Sequence, residues 1–103
     1  MEREQVRQIR VHALEALSSR LRADDRFAES VQAALAAIAA EPLRESAHNA
    51  LIAAYLGEGN FAEAHQHFQR YSRMLWSELR LSPSVTLDQL LSRYGQRLNT
   101  VGV

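Results

Sequence analysis

Cysteine and lysine are both missing from this sequence, and proline and glycine are scarce, with two and four in 103 residues. Without cysteine there is no disulfide framework, no thiol nucleophile and no thiolate metal site. Stability must then come from one hydrophobic core, for which the length is just adequate. Few prolines and glycines leave few places where a helix must stop. Long apolar runs are also absent: the longest, Ala33 to Ala40, is mostly alanine and too short to cross a bilayer. The opening residues Met1-Glu2-Arg3-Glu4-Gln5 lead into a charged helix without an apolar h-region, which reads as no signal peptide. A soluble, cytoplasmic chain without membrane contact is expected. There is no excess of charge either, since twelve arginines face twelve acidic residues. A domain that holds DNA by itself normally carries a basic excess, so DNA is expected to be reached only through a domain not present here.

What is present is an apolar fraction of 47%, ordinary for a globular protein. Its periodicity is helical throughout. Val6, Ile9, Ala13, Leu14, Leu17 and Leu21 share a broad face of a first helix over about residues 4–23, with Gln8, His12, Glu15, Ser19 and Arg22 on the other side. Asp24 or Asp25 is placed to cap a second helix over about 26–39, whose inner face reads as Phe27, Val31, Ala34, Leu35 and Ile38. Glu41-Pro42 ends it, and the proline suits the first turn of the next helix. That third helix, about 43–56, is apolar nearly all round and so belongs in the middle of an array. Gly57-Glu58-Gly59-Asn60 makes a turn, with Asn60 and Glu63 at capping-box spacing. The fourth helix carries the seam Phe61, Ala64, Phe68, Tyr71, Leu75 and Leu79 and persists to about Leu81. A last helix over about 85–98 presents Leu87, Leu90, Leu91, Tyr94 and Leu98.

Phe27-Ala28-Glu29 returns as Phe61-Ala62-Glu63, a shift of 34 residues, which is the tetratricopeptide period. Tyr55, Gly59, Phe61, Ala64 and Phe68 match that pattern in the second repeat, and Phe27 and Pro42 in the first. Ser18 and Ile52 stand where the pattern has its first-helix glycine, and Asp25 stands for the turn glycine. Pro42 and Pro83 are 41 residues apart, so the second repeat is longer by seven, about two helical turns. The expected fold is therefore all-α: a tetratricopeptide-like, right-handed array of antiparallel helix pairs, about five helices. Its repeats run over about 9–42 and 43–83, with a closing helix at about 85–98.

Four stretches occur in order: His12-Ala13-Leu14-Glu15-Ala16-Leu17, Pro42-Leu43-Arg44-Glu45-Ser46-Ala47-His48, Gly59-Asn60-Phe61-Ala62-Glu63-Ala64 and Glu78-Leu79-Arg80-Leu81-Ser82-Pro83-Ser84. Together they resemble the bacterial transcriptional activator domain of the Streptomyces antibiotic regulatory protein family. Val85 and Leu87 stand where that family often has Pro and Thr. In the family this domain follows an OmpR-type winged-helix DNA-binding domain. The resemblance implies transcription activation through protein contacts: dimerisation, positioning of the DNA-binding domain, and contact with RNA polymerase. The winged helix is absent here, which suits an excised domain and a free-standing one alike. A generic tetratricopeptide adaptor that holds a peptide in its concave groove is the alternative.

No enzyme chemistry is legible. His65 and His67 lie about 200° apart on a helix and cannot chelate one metal, while His12 and His48 lack Cys or carboxylate pairs at ligand spacing. There is no phosphate loop and no Ser-His-Asp arrangement, so no catalytic residue, metal or cofactor is expected. Three surfaces remain as candidates. The first is a partner groove on the concave face, from Gln8, His12, Glu15, Ser19 and Arg22 continued by Glu45, Ser46 and Asn49, against which stands ordinary solvated surface. The second is a polar, basic face of the fourth helix, Gln66, Arg70, Arg73, Ser77 and Arg80, which could meet phosphates, an acidic patch on polymerase, or solvent alone. The third is Trp76, beside the seam, which either packs on the last helix or anchors a homodimer.

Overall fold

In a computed structural model, which describes residues 2–85, 87 and 89–92, the chain is helices joined by short turns, with no strand among the described residues. In order come α1 (Glu2–Ala23), α2 (Phe27–Ala40), α3 (Glu45–Gly57) and α4 (Phe61–Leu79). Residues 85, 87 and 89–92 are helical too and belong to the expected closing helix. Its continuation, with Tyr94, Gly95 and Leu98, lies outside the described residues. Each helix packs on the next, and α1 also lies against α3. This is the all-α array that the short connections require.

The 34-residue echo is written into the backbone of the turns. Leaving α1, the amide of Arg26 donates to the Leu21 carbonyl at 2.8 Å and that of Asp25 to the Arg22 carbonyl at 3.0 Å. Leaving α3, the amide of Asn60 donates to the Tyr55 carbonyl at 2.8 Å and that of Gly59 to the Leu56 carbonyl at 3.1 Å. Both are Schellman turns, which need a left-handed residue just past the helix. Asp25 (φ 59°) and Gly59 (φ 79°) provide it at equivalent places. Aspartate is one of the few non-glycine residues that tolerate this region.

That use of Asp25 overturns the expected cap. With Asp25 in the turn, the N-cap of α2 is Arg26, and no side chain caps the helix. Asn60 is at the N-cap of α4 as expected, yet its side chain makes no capping bond, so the pair with Glu63 is not a capping box. Pro42 and Leu43 form the turn before α3 rather than its first residues, and Arg44 is its N-cap. Helix α4 stops at Leu79, short of Leu81, because Arg80 turns left-handed (φ 55°) and its amide bonds back to the Trp76 carbonyl at 2.9 Å. After it, the Ser84 amide donates to Glu45 Oε1 at 2.8 Å, and Ser84 Oγ accepts from the Leu87 amide at 3.4 Å. The serine thus ties the closing segment to the start of α3.

Packing falls into two clusters. Ile52, Leu56, Ala64, Tyr71, Leu75 and Leu87 form the larger, between α3, α4 and the closing helix, with Tyr55, Phe61, Phe68, Met74, Leu90 and Leu91 against it. Val11, Ala37 and Ala47 form the smaller, where α1, α2 and α3 meet. Between α1 and α2, buried Ser18 and Ser30 exchange hydrogen bonds, each hydroxyl donating to the other's carbonyl at 2.9 and 2.7 Å. The 34-residue shift carries this pair to Ile52 and Ala64, also buried. A small side chain on at least one helix lets each pair approach closely.

The expected inner face of α1 is largely wrong. Val6, Ile9 and Leu17 are 63%, 69% and 47% exposed, and Ala13 is exposed as well. The side that packs inward is Val11 and Ser18, with Leu14, Glu15 and Leu21 half-buried. Apolar counting misses it because the contact is built from small and polar groups. Leu35 and Leu79, expected inside, are exposed too.

Phe27, the first member of the echo, leans on the end of α3. A Cβ on Gly57 would stand 2.5 Å from its Cε1. Gly57→Ala gains helix propensity, worth up to about 1 kcal/mol in a helix interior and less at an end, but displaces a half-buried ring at about 1–3 kcal/mol. A net loss of about 1 kcal/mol in urea denaturation is expected, and it should vanish when the substitution is made in a Phe27→Ala background.

Candidate protein-interaction surfaces

The polar stripe of α1 does not stand open along its length. From the turn before α3, Arg44 reaches across to it. Its Nε and Nη2 donate to the two carboxylate oxygens of Glu15 at 3.0 and 3.2 Å, and its Nη1 to Gln8 Oε1 at 3.5 Å. Nη2 also lies 3.4 Å from both ring nitrogens of His12. Ser46 Oγ donates to Glu15 Oε2. Burial alone would raise the Glu15 carboxyl, but the bonds from Arg44 and Ser46 and the arginine's charge outweigh it and hold the pKa below the usual carboxylate value. A forked guanidinium on a half-buried carboxylate is a strong, directional contact. Gln8, His12, Glu15 and Ser46 are therefore gathered at one end of the α1/α3 face and engaged with one another. Glu45 is engaged separately, by the Ser84 amide.

The other end is open. Arg22, Asn49, Ala53, Leu56, Gly57 and Leu90 line a groove of about 340 Å³ between α1, α3 and the closing helix. Arg22 and Asn49 are the two expected groove residues placed there, while Ser19, one turn earlier on α1, is exposed outside the lining. The lining is mixed, with Ala53, Leu56 and Leu90 beside the Arg22 cation and the Asn49 amide.

On α4, Arg70 and Arg73 are exposed, as is Arg80 just past its end. Arg80 Cζ lies 5.8 Å from the ring centroid of Trp76, itself 53% exposed. The indole is thus half in solvent and faced by a cation. Its burial is too slight for a core residue.

One cluster escapes sequence reasoning. His48 Nε2 is 2.6 Å from the Pro42 carbonyl, which can only accept, so this nitrogen carries the proton. His48 Nδ1 then accepts from His67 Nε2 at 2.8 Å. Tyr71 also stacks on His48, with centroids 4.0 Å apart. Burial lowers both histidines, His67 to about 4 with help from the charges of His48 and Arg70, so both rings are neutral near pH 7. The two lie 19 positions apart on different helices, and only the α3/α4 register reveals them. Among the described residues no group of three or more His, Cys, Asp or Glu could hold a metal ion, and no helix is long and apolar enough to cross a membrane.

Among the described residues the candidate features are thus helix faces, a groove and a buried histidine pair. Comparison with curated proteins and with solved structures finds no match for the chain. Comparison with protein families finds one over residues 1–93, the bacterial transcriptional activator domain, and the chain belongs to that family.

Proposed function

We propose that this chain is the effector and protein-interaction domain of a bacterial transcription regulator, acting in the cytoplasm without catalysis. It contributes to activation through dimerisation and through contacts with RNA polymerase subunits or a winged-helix domain of the same regulator, of the Streptomyces antibiotic regulatory protein type. DNA is met only through that winged helix. The observation that carries this reading is the open groove of Arg22, Asn49, Ala53 and Leu90 in a chain of this family. Matching Schellman turns 34 residues apart support a tetratricopeptide-like array, with repeats over about 9–42 and 43–83.

Capture of RNA polymerase subunits by the immobilised domain tests it, scored against the size of the domain alone in solution. Asn49→Arg, which fills the groove without touching the Arg44 cluster, is expected to reduce capture at least about tenfold. Unchanged capture would remove the groove from the mechanism. A peptide adaptor unconnected with transcription is the second reading, favoured by the groove's size for one or two side chains. A winged helix encoded upstream in the same reading frame argues against it.

A further inference from the structure

From Arg3 to Arg20, α1 has two sides of opposite character. Of its two carboxylates in this stretch, Glu15 is half-buried against Arg44, and Glu4 is exposed but paired with Arg7 on the same helix. The outward arc holds Val6, Ile9, Ala13 and Leu17, all exposed, with Arg3, Arg10 and Arg20 beside them and no carboxylate. At its start the arc borders a groove of about 640 Å³ between α1 and the end of α2, lined by Arg3, Val6, Arg7, Arg10, Ala39 and Ala40. Arg7 is already occupied by Glu4 and Glu41, whereas Arg3 and Arg10 have no ion pair among the described residues.

The apolar residues of this arc are outside both core clusters. Apolar side chains spaced at 6, 9, 13 and 17 form a helix-docking seam, and contiguous exposed apolar surface of this kind marks an interaction site. Arg3, in the first turn, opposes the dipole of α1, and Arg10 lies too far from either end to complement it; Arg20, in the last turn, does complement it. Charge also selects the occupant. A second copy laid antiparallel on this seam would set Arg3 and Arg10 toward Arg20 and Arg10 of its partner, like against like. A partner with carboxylates at those places is complementary.

We propose that the outward seam of α1 is the docking site for an acidic amphipathic helix of a partner protein. Its apolar side chains lie on Val6, Ile9, Ala13 and Leu17, and its carboxylates meet Arg3, Arg10 and Arg20. The site is separate from the α1/α3 groove, so Asn49→Arg leaves it intact.

The probe is a synthetic helix-forming peptide with leucine on its seam and glutamate on both flanks, titrated by fluorescence anisotropy against the full chain. A second peptide has lysine for glutamate. The glutamate peptide is expected to bind, more weakly at high salt, and the lysine peptide not to bind. Ile9→Glu and the pair Arg3→Glu, Arg10→Glu should each weaken binding at least about tenfold. These residues are exposed, and circular dichroism checks that the variants remain folded. Four results would overturn the proposal: no binding of the glutamate peptide, equal binding of both peptides, binding indifferent to these substitutions, or a seam covered by self-association and opened by Ile9→Glu. Capture by anionic vesicles through the same arginines, without peptide binding, would assign the face to a membrane surface instead.

Discussion

Tyr71→Ala is expected to destabilise the domain by about 3–5 kcal/mol, a large part of the roughly 5–15 kcal/mol that a domain has. Tyr71 is 2% exposed, and its ring fills the space between His48 on α3 and the Ile52, Leu56, Leu75 and Leu87 side chains. Truncation leaves a cavity where α3, α4 and the closing helix meet, and none of the three can close it without losing the others. At about 4–8 °C per kcal/mol for a chain of this length, the melting temperature should fall by more than about 12 °C. Tyr71→Phe keeps the ring and should cost less than about 1.5 kcal/mol. Urea denaturation of the two variants separates cavity from hydroxyl. Equal, small losses in both would mean that the ring is not the keystone of this core.

Acidification gives the second large effect. In the unfolded chain both histidines titrate near 6.5, whereas in the fold His67 is held to about 4 and His48 is also lowered. The fold favours the neutral rings, so below about pH 6.5 the unfolded chain binds more protons and stability falls as pH falls. It is complete above about pH 7. Between pH 7 and pH 5 the loss for His67 should be at most about 2 kcal/mol, reduced by solvent screening of a ring that is only partly buried. The groups facing the pair act in known directions. Pro42's carbonyl and the Glu45 carboxylate favour protonation of His48, while Arg70 opposes that of His67. Glu15, lowered by its arginine, adds a loss in the same direction, but only as pH falls through the carboxylate range. Denaturation at pH 7 and pH 5 isolates the histidines, and His67→Gln should flatten the difference by at least half.

How much of this could be read beforehand differs from helix to helix. The places of the turns are legible, because the shift maps Asp25 on Gly59, but their shared backbone geometry is not: aspartate beside a helix start reads as a cap, and here it takes the left-handed position instead. The α4 seam from Phe61 to Leu75 was legible too, since its apolar face is wide and its opposite face polar. On α1 the same method failed. Glu15, Ser18 and Gln8 make inward contacts through hydrogen bonds with Arg44 and Ser30, which apolar periodicity cannot register. Val6, Ile9 and Leu17, meanwhile, are apolar but exposed, outside both core clusters. Of the expected groove, Arg22 and Asn49 frame an open space and Glu15 holds the structure together. Sequence spacing shows which residues share a face, not whether a side chain from a third helix has already claimed it.

Arg44 has one further consequence, for the order in which the chain opens. Its fork fixes α1 to the start of α3 without passing through α2, and Glu41, in the same turn, adds a pair with Arg7. Peeling α1 away would expose a half-buried guanidinium and carboxylate together, so α1 should not fray as an independent hairpin arm. Amide exchange is expected to report this as shared protection: the middle of α1 and the first turn of α3 open in a single event.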